Sequence, residues 1–364
     1  MDRKYIISGG GTGGHIFPAL AIANEIRKRD PGAKILFVGA LGRMEMERVP
    51  AAGYPIIGLP VEGLQRKLGL RNLVVAYKLV VSLLKARSIL SSFSPDVVVG
   101  VGGYASGPLL RMAAWQGIPA VIQEQNSYAG ITNRLLARKA AVICVAYTGM
   151  EKYFPAGKII LTGNPVREDV INSTLNKSLA AEFFNINADK PILLVLGGSL
   201  GARTINESLL AHAEMFDREN VQLLWQTGRL YFDKIKNEIE PLGFRNIRYF
   251  DFINRMDLAY ALADVIVSRA GAGTISELCL LGKPVILIPS PNVAEDHQTK
   301  NALALAEKEA ALMIRDSEAK ATLVATALQL LNNEALKTTL GKNCRELAVE
   351  GSAGKIVDEI LKQV

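Results

Sequence analysis

The residues best suited to chemistry in this chain stand in or beside glycine-rich turns. The first turn is Ser8–His15, SGGGTGGH, and five of its eight residues are Gly. The apolar run Tyr5-Ile6-Ile7 leads into it, and the spacing Ile16, Leu20, Ile22, Ala23, Ile26 leads out, so a strand, a turn and a helix start are expected. A helix N-terminus presents unpaired N–H groups and the positive end of a dipole, and glycines let backbone approach a ligand closely. Together these make a place for phosphate or another anion. Thr12 adds a hydroxyl, and His15 adds a group that exchanges a proton near neutral pH, placed for a cleft role. Gly9, Gly11 and Gly14 also match the dinucleotide fingerprint G-x-G-x-x-G. That site needs an acid at the end of the second strand, but Lys34–Val38 runs into Gly39-Ala40-Leu41 and Glu45 comes late, so the dinucleotide reading is set aside.

Further turns repeat the plan. GVGGYASGP, Gly100–Pro108, follows the apolar run Asp96–Gly100, and Glu124-Gln125-Asn126 follows Ile118–Ile122. GGSLGAR, Gly197–Arg203, follows Pro191–Leu196 and contains G-x-S-x-G at Gly197, Ser199 and Gly201. A hydrolase elbow would need a later acid and then a His, whereas Asp296 and His297 are neighbours that cannot easily serve both parts. The better reading is a phosphate loop in which Ser199 donates from a helix N-terminus. In SRAGAGTISE, Ser268–Glu277, Gly271 and Gly273 make a turn while Thr274, Ser276 and Glu277 open a helix. Glu277 there either caps the helix or accepts from vicinal ribose hydroxyls. AEDHQ, Ala294–Gln298, opens another helix whose polar groups bind sugar hydroxyls or cap it.

The elements that must position these residues alternate strand and helix. In the first half the expected strands are Tyr5–Ile7, Lys34–Val38, Tyr54–Leu59, Asp96–Gly100, Ile118–Ile122 and Ala141–Val145. Helices are expected at Arg43–Ala52, Arg71–Phe93 and Ile131–Lys139, with a basic loop at Val61–Gly69. Beyond Gly163–Arg167, read as an interdomain linker, strands are expected at Pro191–Leu196, Val221–Trp225, Ile247–Phe250, Val265–Val267, Pro284–Ile288 and Ala311–Ile314. Helices close the chain near Glu318–Leu331, Ala335–Glu350 and Ala353–Gln363. This pattern predicts an α/β protein of two Rossmann-like, doubly wound parallel-sheet domains facing a cleft, with ligands beyond the carboxyl ends of the strands. The expected first domain is 1–163 with a C-terminal helix of about 345–364 packing back, and the second is 164–344.

Composition agrees with that class. The 364 residues are 49% hydrophobic, enough for two cores. Cys144, Cys279 and Cys344 are far apart and read as free thiols of a reducing compartment, and three histidines without clustered ligands argue against zinc. No signal peptide is expected, and the run Leu73–Leu84, broken by Lys78, is too short to span a bilayer. Residues 1–165 carry a net +11 and residues 166–364 a net −4, so a polyanionic partner is expected only at the first half.

Taken together, GGTGGH, GGYASGP, EQN at Glu124–Asn126, GNPVR at Gly163–Arg167, GGSLGAR, SRAGAGTISE and EDHQ at Glu295–Gln298 resemble, nearly end to end, the peptidoglycan N-acetylglucosaminyltransferases of glycosyltransferase family 28. The resemblance implies a GT-B fold and inverting transfer of GlcNAc from UDP-GlcNAc to the C4 hydroxyl of MurNAc in undecaprenyl-diphosphate-linked muramoyl pentapeptide, a step of cell-wall biogenesis, cell shape and division. No cofactor, no catalytic metal and no nucleic acid are implied; helix dipoles and loop amides stabilise the UDP leaving group instead. The donor then sits mainly on the second domain. Ser199 contacts phosphate, Ile253 meets uracil through its backbone, and Ala272, Gly273, Thr274, Ile275, Ser276 and Glu277 hold phosphate and ribose. Gln298 reads sugar hydroxyls, and Thr12, Gly13, Gly14, Asn126 and Arg167 complete the donor site. Gly102, Gly103 and Tyr104 form an acceptor loop, and His15 is the candidate base or positioning group. Some relatives carry two adjacent glutamines where this chain has His297 and Gln298, so the role of His297 is left open. Rival readings are a UDP-GlcNAc 2-epimerase or a lipid galactosyl- or glucosyltransferase of the same fold. A pure nucleotide-binding module would not need His15 and an acceptor cleft.

A lipid-linked acceptor places the protein on the cytoplasmic face of the membrane as a peripheral protein. The expected docking surface lies within Gly63–Leu90, with Leu64, Leu68, Leu70, Leu73, Val74 and Tyr77 apolar and Arg66, Lys67, Arg71, Lys78, Lys85 and Arg87 around them. Glu62 is the nearby counter-charge, and most of Leu79–Leu84 is expected to face the protein's own core. An apolar patch with basic flanks binds an anionic interface without spanning it.

Overall fold

The computed structural model describes residues 2–11, 13–63, 70–166, 177–293 and 296–364, with the backbone alone for 70–72. The chain forms two compact units, Met1–Arg167 with Val349–Val364, and Glu168–Ala348.

In the first unit, strands β1 Lys4–Ser8, β2 Lys34–Ala40, β3 Ile56–Leu59, β4 Val97–Gly100, β5 Ala120–Glu124, β6 Val142–Val145 and β7 Ile159–Leu161 form one sheet in the order β3-β2-β1-β4-β5-β6-β7. Every neighbouring pair is parallel. Helices α1 Gly13–Arg29, α2 Glu45–Ala51, α3 Leu70–Phe93, α4 Ser106–Trp115 and α5 Ile131–Leu136 cross between strands. Val97, Val98 and Val99 are fully buried, as a parallel strand covered on both faces must be. Strand β7 was not expected from the sequence: it is three residues long, half-buried to exposed, and makes no continuous apolar run.

The sequence pattern misplaces one face of α3. Its buried side is Val75, Ser82, Ala86, Ile89 and Leu90, of which Ala86, Ile89 and Leu90 join the core with Leu36, Val98 and Leu109. Leu79, Val80 and Leu84 instead stand 47%, 55% and 63% exposed, in line with Leu73, Val74 and Tyr77. A helix this apolar has two candidate faces, and the one that carries the small residues Ser82 and Ala86 is the buried one.

The second unit repeats the plan with β8 Ile192–Leu196, β9 Gln222–Gln226, β10 Ile247–Phe250, β11 Val265–Ser268, β12 Val285–Leu287 and β13 Leu312–Met313. Its order is β10-β9-β8-β11-β12-β13, again all parallel. Helices α6 Lys177–Phe184, α7 Arg203–Ala211, α8 Glu214–Arg218, α9 Phe232–Ile239, α10 Met256–Leu262, α11 Ala272–Leu281, α12 His297–Ala306, α13 Asp316–Leu331 and α14 Glu334–Glu346 belong to it. One core face packs Leu193, Val195, Leu223 and Trp225 against Ile205, Leu209 and the α13 residues Leu323, Ala327 and Leu331.

The helix expected over Ala335–Glu350 stops at Glu346, and the chain returns to the first unit between Ala348 and Val349. There α15 Ser352–Leu361 buries Ile356, Val357 and Ile360 against Tyr5, Ile7 and Ile22, and Arg29 of α1 pairs with Asp358. The strand orders matter for function. In each unit the order reverses beside the first strand, between β1 and β4 and between β8 and β11. Ligands of doubly wound sheets bind at that switch point, outside the carboxyl ends of the strands. The turns after these four strands are SGGGTGGH, GVGGYASGP, GGSLGAR and SRAGAGT.

Candidate active site

In the first unit α1 starts at Gly13, so Gly13, Gly14 and His15 form its first turn. Half-buried His15 lies over the second glycine loop: a Cβ on Gly102 would stand 2.9 Å from both Cδ2 and Nε2 of the imidazole. A Cβ on Gly103 would stand 2.5 Å from the Gly10 carbonyl oxygen. The two loops are therefore in backbone contact, which only glycine permits. Ser106 Oγ stitches them, its one hydrogen shared between Ser8 O at 2.8 Å and Gly102 O at 2.9 Å. Tyr104 is 57% exposed, and its ring lies against Gly63.

Past β5, buried Glu124 organises the turn that carries Asn126. It accepts from Asn126 N at 3.0 Å, Asn126 Nδ2 at 3.3 Å, Gly130 N at 3.0 Å and Asn133 Nδ2 at 2.9 Å. Burial pushes its carboxyl above the ordinary carboxylate range, and these hydrogen bonds pull the other way. Beneath the turn, Gln125 Nε2 donates to Val101 O at 2.7 Å, Gln123 Nε2 to Asn164 Oδ1 at 3.1 Å, and Asn164 Nδ2 to Gln125 O at 3.0 Å. His15, Gly102, Gly103, Tyr104 and Asn126 thus stand at the carboxyl end of one sheet. Thr12 and Arg167 lie outside the described residues.

In the second unit, the switch point holds two turns. Helix α7 begins only at Arg203, so Ser199 lies in the loop ahead of it rather than on its first turn. Gly197 N donates to Gln226 O at 3.0 Å, and Ser199 O accepts from Arg229 N at 3.2 Å. Helix α11 begins at Ala272 with no side chain capping its N-terminus, and a Cβ on Gly273 would meet open space. Unpaired amides, a dipole and free volume suit an anionic group.

Glu277 falls in the second turn of α11, not the first, so capping does not account for it. Its Oε2 accepts from the buried Tyr260 hydroxyl at 2.8 Å. Buried Ile253 donates its N–H to Gln226 Oε1 at 3.0 Å, which leaves the carbonyl as the backbone group a nucleobase would meet. Gln298 accepts from Ser290 N at 2.9 Å through Oε1, so its amide nitrogen is the end available for a hydroxyl. His297 is the first residue of α12; Ala294 and Glu295 lie outside the described residues. Arg269 braces this end of the sheet, donating to Ile288 O at 3.1 Å and to Asp316 Oδ1 at 2.5 Å, and Thr204 Oγ1 reaches the same carboxylate at 2.8 Å. Among the described residues no three His, Cys, Asp or Glu side chains converge as a metal site requires.

Sequence reasoning missed Gln226, Tyr260 and Glu45. The first two hold expected site residues from neighbouring elements, and no local spacing marks them. Its position in the sequence offers Glu45 only as a late candidate for a ribose acid, yet it lies under the first glycine loop.

Residues 5–145 match the glycosyltransferase family 28 N-terminal domain, and residues 192–354 match the family's C-terminal domain. The chain is 58% identical to a UDP-N-acetylglucosamine--N-acetylmuramyl-(pentapeptide) pyrophosphoryl-undecaprenol N-acetylglucosamine transferase of Parabacteroides distasonis, covering 99% of this chain and 98% of that one. It is 56% identical to the Bacteroides fragilis protein of the same description, covering 99% and 95%. The crystal structure of Acinetobacter baumannii MurG superposes with a TM-score of 0.76 at 30% identity, covering 99% of both chains. With both family domains matched and relatives covered over nearly their whole length, this chain belongs to glycosyltransferase family 28, with its GT-B fold of two Rossmann-like domains.

Proposed function

We infer that the chain is a UDP-GlcNAc-dependent N-acetylglucosaminyltransferase that moves GlcNAc to the C4 hydroxyl of MurNAc in undecaprenyl-diphosphate-linked muramoyl pentapeptide. The observation that carries this is the end-to-end 58% identity to a transferase of that description. In the reaction the C4 oxygen attacks the anomeric carbon from the face opposite UDP. The C1–O bond to UDP breaks with its electron pair leaving on the diphosphate, and the hydroxyl proton passes to a base. His15 is the residue best suited to take or steer that proton, being half-buried on a helix first turn against the second glycine loop. The donor is assigned to the second unit. Ser199 and the α11 N-terminus face the diphosphate, the Ile253 carbonyl faces uracil, Glu277 braced by Tyr260 faces the ribose, and Gln298 faces the sugar. Gly102–Tyr104 line the acceptor. Incubating the protein with UDP-GlcNAc and a soluble short-chain acceptor should yield UDP and a β-linked disaccharide. An epimerised UDP-sugar, or free GlcNAc alone, would refute the assignment.

The finer placement is peripheral, on the cytoplasmic face of the membrane, with the first unit docked on anionic lipid. Among the described residues no helix is long and apolar enough to cross a bilayer. What supports docking is the exposed α3 stripe Leu73, Val74, Tyr77, Val80 and Leu84, continued by Trp115, which is 66% exposed and stacked 5.0 Å from Arg87. An exposed apolar stripe of this kind marks an interaction surface. Lys78 is paired with Glu62 at 2.7 Å, which offsets its charge, whereas Lys85 donates to the neutral Gly58 carbonyl at 2.9 Å and keeps its charge. Leu64, Arg66, Lys67 and Leu68, and the side chains of Leu70 and Arg71, lie outside the described residues.

A further inference from the structure

The carboxylate of Glu45 is fully buried, and no Lys, Arg or His pairs with it among the described residues. Its partners are two backbone amides: Oε2 accepts from Gly11 N at 2.9 Å and Oε1 from Ala40 N at 2.9 Å. A buried carboxylate is expensive unless hydrogen-bonded, and charge-assisted bonds to backbone N–H are the strong kind. Glu45 therefore takes the place in this loop that an anion takes in an ordinary phosphate loop. It also explains two glycines. A Cβ on Gly10 would stand 2.0 Å from Glu45 Oε1, and one on Gly39 would stand 2.5 Å from Glu45 Cγ. Gly10 is held between Glu45 on one side and Gly103 on the other, and His15 rests on Gly102 next to that contact. A continuous path of touching groups runs from Glu45 through Gly10 to Gly103, and across Gly102 to His15.

We propose that Glu45 is a positioning residue for the transfer: its buried carboxylate shapes the first glycine loop against the second and so holds His15 over Gly102. The same contact commits the amide of Gly11 to Glu45, so within this loop an anionic substrate group is left the first turn of α1 rather than the Gly11 amide. This rests on the role given to His15, and the test separates the two.

Steady-state kinetics with UDP-GlcNAc and the soluble short-chain acceptor are compared for the wild type, Glu45→Gln, His15→Ala and the double variant, with UDP-GlcNAc affinity measured by calorimetry. Gln keeps the shape of Glu but turns an NH2 group toward one of the two N–H donors. Glu45→Gln should lower kcat about tenfold or more with UDP-GlcNAc affinity within about twofold, and should add less than about threefold to His15→Ala, because groups acting as a unit are not additive. Gly39→Ala, which displaces the Glu45 side chain while leaving its charge, should give the same pattern. If His15→Ala alone leaves kcat intact, the His15 role fails, and the positioning proposal with it. A large loss in His15→Ala beside an unchanged kcat in folded Glu45→Gln refutes the positioning role alone, as does full additivity in the double variant. Failure of both Glu45→Gln and Gly39→Ala to fold would make Glu45 purely structural, which also refutes it.

Discussion

A few side chains govern the reaction as proposed. Removing the imidazole in His15→Ala should lower kcat by about 10²–10⁴-fold, the usual range for general acid–base catalysis, with UDP-GlcNAc affinity nearly unchanged. Rapid-quench turnover and calorimetric titration on the same preparation read the two quantities separately, and a surviving kcat would leave proton transfer to another group. Glu277→Ala acts on the other substrate. Losing a charge-assisted hydrogen bond to the ribose should weaken UDP-GlcNAc binding by ~1.5–3 kcal/mol with a smaller effect on kcat. Tyr260→Phe deletes the hydroxyl that donates to Glu277 at 2.8 Å and leaves the carboxylate in place. It should weaken binding by about 0.5–1.5 kcal/mol, the net worth of one hydrogen bond. A Tyr260→Phe effect larger than that of Glu277→Ala would mean that Tyr260 itself touches the donor.

Elements carry the stability on which these side chains depend. Trp225 in β9 is fully buried, and its Nε1 donates to Asn206 Oδ1 of α7 at 3.0 Å, while Asn206 Nδ2 donates to Thr227 O at 2.8 Å. One amide thus ties α7 to the strand that leads into Gly228. Asn206→Ala leaves a buried donor and a buried carbonyl unpaired and should cost ~1–3 kcal/mol in chemical denaturation. At the start of α10, Arg255 donates to Asp257, whose carboxyl is held below its ordinary value of 3.8 by that bond. A depressed carboxyl stabilises the fold above its unfolded value, and the contribution is lost as pH falls through the folded one. With Arg255 side chain 49% exposed, screening keeps the pair under about 1 kcal/mol. Asp257→Asn should melt slightly below wild type at pH 7, and the difference should vanish once the medium is acid enough to protonate Asp257. A difference that persists undiminished in acid would assign the effect to packing.

At the scale of the whole molecule, the exposed apolar stripe of α3 lies in the half that carries +11. Changing Tyr77, Val80 and Leu84 together to Ser should lower binding to vesicles containing anionic lipid. Activity on the soluble short-chain acceptor should remain. Changing Arg66, Lys67 and Arg71 to Glu should do the same through charge, at ~1 kcal/mol for each well-placed cation, and more strongly at low salt. Co-sedimentation at two ionic strengths distinguishes them: the apolar triple should be nearly salt-independent and the charge triple should not. Unchanged vesicle binding by both would move the docking surface elsewhere.

How much of this could be read before folding follows from what is local. Strand, glycine turn and helix start are encoded within a dozen residues, so the alternation, the parallel doubly wound class and every turn at the two switch points were legible in the sequence. The resemblance carried by those turns was enough to name the chemistry. Strand β7 was not legible, because three partly exposed residues make no pattern until β6 offers an edge. The outward face of α3 was not legible either, since a helix with apolar residues on more than one face does not say which side its neighbours cover. Glu45, Gln226 and Tyr260 were silent for a third reason. Each acts on a residue from another element, at sequence separations of 34, 27 and 17. Local sequence determined where the loops are and what they carry; tertiary packing alone decided which buried side chain holds each loop in shape, because burial and backbone hydrogen bonding are properties of the assembled chain.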